Sequence, residues 1–531
     1  MKIRSILVVG GGSSGWMSAA AFSRYLKGIK VTVLESNTSS PIGVGESTMV
    51  AFNHFLKLIG LKDEDWMKYC DATYKTSVRF TNFRDKDSGS FEYPFGHERS
   101  GQDDSGRINA WAHLAAKYKL STDSFCEFNN QVYFLARYNR LTKNENNRMN
   151  LSFNDVTAYH FDAKLFGEYL RDHVCKPEGV EHHYDDVVSV EKDSEGYITS
   201  VVGSSGEKYS ADLYVDCTGF KSILLEGEMN SKFISSKKWL SNDSAFAARI
   251  PYTNKEIELE NVTTCTAIEN GWVWHTPLWS KIGTGYVYSS DFVDDETAEK
   301  EFKSHLGVED IDLRKIKFRH GYHEKGWIKN VLGIGLSYAF VEPLEATGLS
   351  STHVMIQRAC ELIEHRDYNV NGFDIDGYNY HAAFAMRGMK RFVALHYKFS
   401  SRIDTPYWRY QTEGKDWFNL DKDDDFYEFP VDTRADYSGY RDVYSLIHSH
   451  HSINHNWPSE NRSYAYIMAG MGYKPFSKKD LNKVRTELDP DIDKRLESMY
   501  NEWRQYVDDL TEYVNTLPTS YEFLKENIYQ D

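Results

Sequence analysis

Three groups of residues in this 531-residue chain have types and spacings that could do chemistry. Gly10, Gly12 and Gly15 stand as Gly-x-Gly-x-x-Gly, with Ser13 and Ser14 between the last two, directly after the apolar run 6–9. Gly10 permits a tight turn, Gly12 lets backbone N–H groups approach a pyrophosphate, and Gly15 permits close packing of helix on strand. Glu35 ends the next β-branched run, where a carboxylate can accept from a ribose hydroxyl. Lys75 lies in the alternating stretch 72–80, which reads as a strand with Lys75 and Arg79 on one face. Such a lysine is ordinarily solvated; in a dry pocket its ammonium could donate hydrogen bonds or, neutralised, act as a nucleophile. Trp272 and Trp274, two apart in Gly271-Trp-Val-Trp-His-Thr-Pro277, share one strand face, where paired indoles are ordinarily core. The stretch 340–348 leads into a helix running to about Glu364, and the N–H groups at its approach could seat an anion.

The elements that must position these groups follow from the same pattern. The first glycine turn leaves as a helix over 17–26, and a strand over 29–34 follows. The loop 39–48 contains Gly43, Val44, Gly45 and Glu46; its glycines let backbone approach a flat ring or a phosphate. An ordinary loop with Ser47 or Thr48 capping a helix over 49–58 explains that stretch equally well. A further helix starts near Asp162, a strand pair spans 187–191 (beginning at Val187) and 197–203, and a strand 211–216 ends in Asp216-x-x-Gly219. Strands are expected over 245–249, 261–268 and 283–288, and a third strand-and-turn over 330–335 brings in Gly335 and Leu336. From 82 to 150 the pattern becomes polar and aromatic-rich, and 368–531 reads as helical. His448, His450, His451 and His455 cluster there, but their spacing completes no ligand set, so no metal is expected.

Composition narrows the class. The length suggests two to four units at roughly 150 residues each. With 41% hydrophobic and 26% charged residues the chain reads as globular, and no apolar run reaches the roughly 20 residues of a membrane helix. No cleavable leader is evident, so a cytoplasmic location is expected. A net charge of -16 argues against nucleic acid as a partner. Six dispersed cysteines argue against a disulfide scaffold. With 36 Tyr, 29 Phe and 12 Trp the chain can wall a large flat cavity, although many of these rings must be core.

The strand ending in Asp216-x-x-Gly219 resembles the second nucleotide-contacting strand of the glutathione-reductase type of FAD fold. With no second Gly-x-Gly-x-x-Gly for a nicotinamide domain, FAD rather than NAD is expected, with an external electron donor. The fold expected is α/β, a Rossmann-like FAD-binding core over 1–81 and 155–365, with a largely helical, aromatic-rich substrate module over 82–154 and 366–531.

Taken together, residues 1 to about 410 resemble the flavin-dependent halogenases of the tryptophan-halogenase family. The first glycine loop with Trp16 and Met17 matches, as do Gly43-Val-Gly45-Glu46-Ser47, Lys75, Tyr159-His-Phe-Asp162, Asp216-Cys-Thr-Gly219-Phe220 and Phe340-Val-Glu-Pro-Leu-Glu345-Ala-Thr-Gly348. Trp272, Trp274 and Pro277 match the family's Trp-x-Trp-x-Ile-Pro signature, with Thr276 in place of its isoleucine and Ala346 where many members carry serine.

The resemblance implies halogenation of an electron-rich aromatic, of indole or phenol type. FADH2 from a separate flavin reductase would react with O2 to a flavin hydroperoxide, which halide (chloride or bromide) converts to hypohalous acid. Lys75 would direct the electrophilic halogen, and Glu345 would polarise it or take the arenium proton. Halide would sit at the N–H groups of Thr347 and Gly348, with Trp272 and Trp274 walling the substrate off the flavin. FAD contacts are expected from Gly10, Gly12, Ser13, Ser14, Gly15, Glu35, Gly43, Val44, Gly45, Glu46, Val187, Asp216, Gly219, Gly335 and Leu336. Phe95, His97 and Trp457 are candidates for the substrate pocket, although each reads more readily as structural. A homo-oligomer is left open. The competing readings are a flavin-dependent aromatic hydroxylase and a noncatalytic nucleotide-binding protein.

Overall fold

The structure, a computed structural model, describes residues 1–37, 45–96, 111, 113–144, 148–149, 151–415, 462–472 and 490–530. The first apolar run forms strand Ser5–Val9, and its turn opens helix Ser13–Tyr25. That helix begins earlier than the sequence pattern suggests because Gly12 caps it in an extended conformation, so the glycine turn itself is the helix start. Residues Gly15 to Phe22 are all buried, and the helix packs against helix Thr347–His365.

Strand Ser5–Val9 pairs in parallel with Lys30–Glu35 on one side and Leu213–Asp216 on the other. Glu181–Tyr184 and Val331–Gly333 extend this sheet in parallel, and Trp327–Ile328 closes one edge antiparallel. The six strands draw on residues 5 to 333, so the core is built from distant segments, as the α/β FAD-binding class requires.

A second sheet of seven strands runs in the order Arg314–Lys317, Ser244–Ile250, Ile282–Tyr288, Gly271–Pro277, Val262–Ile268, Ser77–Thr81, Ser90–Pro94. The boundary drawn at 81/82 therefore falls inside a hairpin whose second strand, Ser90–Pro94, remains in this sheet.

A third sheet of three strands, Gly45–Ser47, Ala158–Asp162 and Thr73–Lys75, packs against the seven-stranded sheet. It corrects the reading of 72–80 as one strand. The chain changes sheet at Thr76, whose N–H donates to Asn261 O (2.7 Å) and whose carbonyl accepts from Phe95 N (2.9 Å). Lys75 and Arg79 therefore do not share a face. Arg79 pairs with Glu92 (2.6 Å) and Glu260 (2.7 Å), while Lys75 turns inward and is buried.

Asp162 starts helix Ala163–Tyr169 as the sequence suggests, its carboxylate accepting from the N–H groups of Lys164 (3.1 Å) and Leu165 (3.3 Å). Toward the C-terminus lie helices Gly372–Lys398, Arg462–Gly470, Pro490–Asn515 and Ser520–Asn527. Leu496, Trp503, Val507, Leu510 and Val514 recur at helical spacing and form the buried stripe of the third of these. Arg462–Gly470 packs on strand Ser90–Pro94, and Pro490–Asn515 on helix Val132–Arg137, so the two aromatic-rich segments form one layer. Among the described residues no helix is long and apolar enough to cross a membrane.

Candidate active site

A cleft of about 600 Å³ opens along the carboxyl ends of the parallel strands. Gly10, Gly12, Ser13, Ser14, Glu35, Gly45, Glu46, Val187, Gly219, Gly335 and Leu336 line it, together with Gly11, which the sequence reading passed over. A Cβ on Gly11 would overlap the Glu35 carboxyl group, and one on Gly10 would overlap Cys217 O, so the turn sits tightly on both flanking strands. A Cβ on Gly12 would meet only open space. Glu35 keeps one oxygen on His182 (2.9 Å to Nε2). Glu46 is pushed up to about 7 by burial, with the Asp162 charge adding to it.

Two of the residues expected at the cofactor act from behind the surface. Gly15 is buried, and a Cβ there would overlap Gly10 O. Asp216 is fully buried: Oδ1 accepts from Thr218 N (3.0 Å) and Oγ1 (2.6 Å), and Oδ2 from Leu224 N and Leu225 N (2.8 Å each). Its carboxylate shapes the turn, and its neighbours Cys217, Thr218 and Gly219 present the surface. Gly43 and Val44 lie outside the described residues.

Trp274 lines the cleft, and Trp272 lies fully buried behind it with ring centroids 6.3 Å apart. Each indole is held from one side. Gly285 faces Trp274 across the strand pair, and a Cβ there would overlap the indole ring. Trp272 Nε1 donates to Glu342 Oε2 (2.9 Å), which also accepts from Asn242 Nδ2 (2.7 Å) and Tyr397 OH (2.9 Å). Thr276, which replaces the signature isoleucine, also lines the cleft, and Pro277 ends the strand.

Lys75 is 1% exposed. Its Nζ donates to Ser47 Oγ (2.7 Å) and Thr48 O (3.1 Å) and lies 5.1 Å from the centre of the Phe95 ring. Burial lowers its pKa to about 8, with the charges of Glu345 and Cys265 working against that fall. Glu345, fully buried, is raised by burial and pulled back by His396 and by Lys75. Phe95 packs against Tyr93, and Tyr93 against Phe392 and Tyr466, so aromatic rings from both aromatic-rich segments gather on this side. His97, Trp457 and the histidine cluster lie outside the described residues.

Helix Thr347–His365 starts after Ala346, which adopts φ 52°. The turn is pinned by Thr347 Oγ1, which donates to Val341 O (2.8 Å) and Glu342 O (2.9 Å). Gly348 faces the cleft, whereas Thr347 lies beneath. The first-turn N–H groups of a helix have no carbonyl four residues back, so this end is electropositive.

A parallel sheet with a glycine-lined cleft, walled by a second, mostly antiparallel sheet, is the architecture of an FAD-type enzyme. Comparison narrows it. A family model described as tryptophan halogenase matches residues 5–487. The chain is 34% identical over 430 residues to the 7-chloro-L-tryptophan 6-halogenase KtzR of Kutzneria sp. (strain 744), covering 76% of this chain and 81% of that protein. It is 30% identical to the tryptophan 7-halogenase RebH of Lentzea aerocolonigenes over 99% of both chains. The solved apo structure of VirX1 superimposes over 100% of both chains with a TM-score of 0.89 at 41% identity. The chain belongs to the tryptophan halogenase family of flavin-dependent enzymes.

Proposed function

We propose that the protein halogenates an electron-rich aromatic of indole or phenol type, with FADH2 delivered by a separate flavin reductase, O2 and halide as co-reactants. The observation that carries this reading is a glycine-lined cleft bordered by Trp274, with Trp272 buried behind that indole and the buried Lys75 amine held by Ser47 of the cleft wall. The cleft fits FAD: Gly12 leaves open the space a Cβ would fill at a helix start, where a pyrophosphate is favoured. Gly10–Gly12, Ser13 and Ser14 would hold the pyrophosphate, Glu35 the ribose, and Glu46, Trp274, Gly335 and Leu336 would border the rest. When bound and reduced, the flavin supplies with O2 the oxidant that converts halide to hypohalous acid.

The chain's own residues then divide the work. The electropositive helix start at Thr347 and Gly348 seats the halide. Trp272 and Trp274 exclude the arene from the cleft, so that only the small oxidised halogen passes. Lys75 receives it, as a hydrogen-bond donor or, when neutral, as a nucleophile, and aims it at the arene. Glu345 takes the proton released from the ring. Phe95 supports the arene by offering a flat face beside the amine.

The test supplies the protein with reduced FAD, O2 and an arene panel, in parallel with chloride, bromide and iodide, followed by mass spectrometry. Halide-dependent mass gains on one arene class support the reading. Hydroxylated products alone would replace it with the hydroxylase, and intact flavin binding without any product would leave a noncatalytic nucleotide-binding protein.

A further inference from the structure

The segment Tyr159-His-Phe-Asp162 supplies a buried histidine that none of these roles uses. In the three-stranded sheet Ser47, His160 and Thr73 lie in one cross-strand row, and Lys75 projects from the same face two residues beyond Thr73. Thr263, from the seven-stranded sheet, closes a continuous path. Ser47 Oγ lies 2.9 Å from Thr263 Oγ1, and Thr263 Oγ1 lies 2.8 Å from His160 Nε2. His160 Nδ1 lies 3.1 Å from Thr73 Oγ1, and Thr73 donates to Pro277 O (2.6 Å).

The direction of every bond in this row is fixed by its far end. A carbonyl can only accept, so the single hydroxyl proton of Thr73 is committed to Pro277 O. Thr73 Oγ1 must then accept from His160, which places that proton on Nδ1 and leaves Nε2 an acceptor. Thr263 donates to Nε2, Ser47 donates to Thr263, and Ser47 Oγ is left to accept from Lys75.

We propose that His160 is a positioning residue for Lys75, which through Thr263 and Ser47 locks this row so that the free valence of the amine is kept for the side of the Phe95 ring. The proposal rests on the reading of Lys75 as the amine that handles the halogen. Ser47 Oγ and Thr48 O both take N–H hydrogens, so two of the three positions on Nζ are spent. The third, a hydrogen in the ammonium and the lone pair in the amine, is left for the side of the Phe95 ring. The lone pair therefore emerges where an electrophile arrives and not into the wall.

An imidazolium at His160 would break this arrangement. Its Nε2–H would donate to Thr263, Thr263 to Ser47, and the Ser47 hydroxyl would turn toward an ammonium that has no lone pair. The surroundings keep it neutral: burial lowers His160 well below its usual value, the charges of Lys75 and His275 add to that, and the Pro277 carbonyl works the other way. Glu345 and Cys265 face the Lys75 end.

The test reads the Lys75 titration in flavin-free protein labelled with ¹³C at lysine Cε, its signal assigned by loss in Lys75→Arg. Thr263→Val keeps the shape but cuts the row; Ser47 turns its proton toward Nζ, and the Lys75 midpoint falls by about one pH unit. His160→Phe does the same, and Thr263→Ser restores the wild-type midpoint. Supplied with reduced FAD, O2 and bromide, Thr263→Val and His160→Phe pass a fraction of the oxidised bromide to the arene that is about tenfold smaller, the rest escaping as free oxidant. Unchanged midpoints in both variants overturn the row and leave the role of Lys75 standing. Shifted midpoints with undiminished transfer overturn the proposal together with that role.

Discussion

His396 Nε2 stands 2.9 Å from Glu345 Oε1, and both side chains are sealed from solvent. Nδ1 of the same ring faces the carbonyls of Phe392 and Val393 at 3.2 Å, which directs its proton there and leaves Nε2 toward the carboxyl group. His396 works against the burial that raises Glu345, so the charge of the proposed base depends on its neighbour. His396→Phe removes the largest cause opposing burial, so the Glu345 carboxyl moves further up. The acid limb of the halogenation pH profile moves upward with it, and once that limb lies above pH 7 the rate at pH 7 falls by about tenfold for every further pH unit. An unmoved limb would separate Glu345 from the proton transfer.

Lys75 places a cost on the fold. Its pKa is lowered from 10.5 to about 8, so the folded state disfavours the ammonium. Below pH 8 that cost is present in full; as pH rises toward 10.5 the folded protein sheds its proton first and the cost disappears. Lys75→Met should therefore raise stability at pH 7 by up to about 3 kcal/mol, with the gain shrinking above pH 8. Chemical denaturation at a series of pH values checks the sign, and the same variant loses arene halogenation while still releasing hypohalous acid.

The glycines of the first turn should separate by function. The added Cβ of Gly12→Ala meets no protein atom, so the variant folds with a nearly unchanged melting temperature and binds FAD more weakly, read by fluorescence titration. Gly10→Ala overlaps Cys217 O and sits at φ 115°, so it lowers the melting temperature, at a cost of about 1–3 kcal/mol.

Gly285→Ala tests the wall. The added methyl group overlaps the Trp274 ring, which must swing into the cleft or force the strands apart, at about 1–3 kcal/mol. FAD affinity falls by about tenfold or more. Unchanged affinity with wild-type halogenation would show that the indole has room the structure does not give it.

The glycine turn, its strand and helix, and most strands of the second sheet were legible because local pattern and tertiary role agree there. Lys75 was not legible as a buried group from spacing alone. The alternating stretch 72–80 reads as one strand, and only the change of sheet at Thr76 turns Lys75 inward while Arg79 finds carboxylates; Asn261 and Phe95, the partners that fix that change, are far apart in sequence. The resemblance to the family, not the period, singled out Lys75. Thr263, His182, Glu342 and His396 were missed because each matters only through a partner at least 50 residues away.

The crossing at Thr76 also says where this scaffold tolerates redesign. Lys75 stands one residue before the switch, so a single insertion or deletion between the two sheets would exchange inside for outside along its strand and point the amine away from the arene. Under the proposed function, libraries aimed at new regiochemistry should hold the chain length fixed from the Gly45–Ser47 strand through Thr81 and vary the rings Tyr93, Phe392 and Tyr466, which pack together behind Phe95.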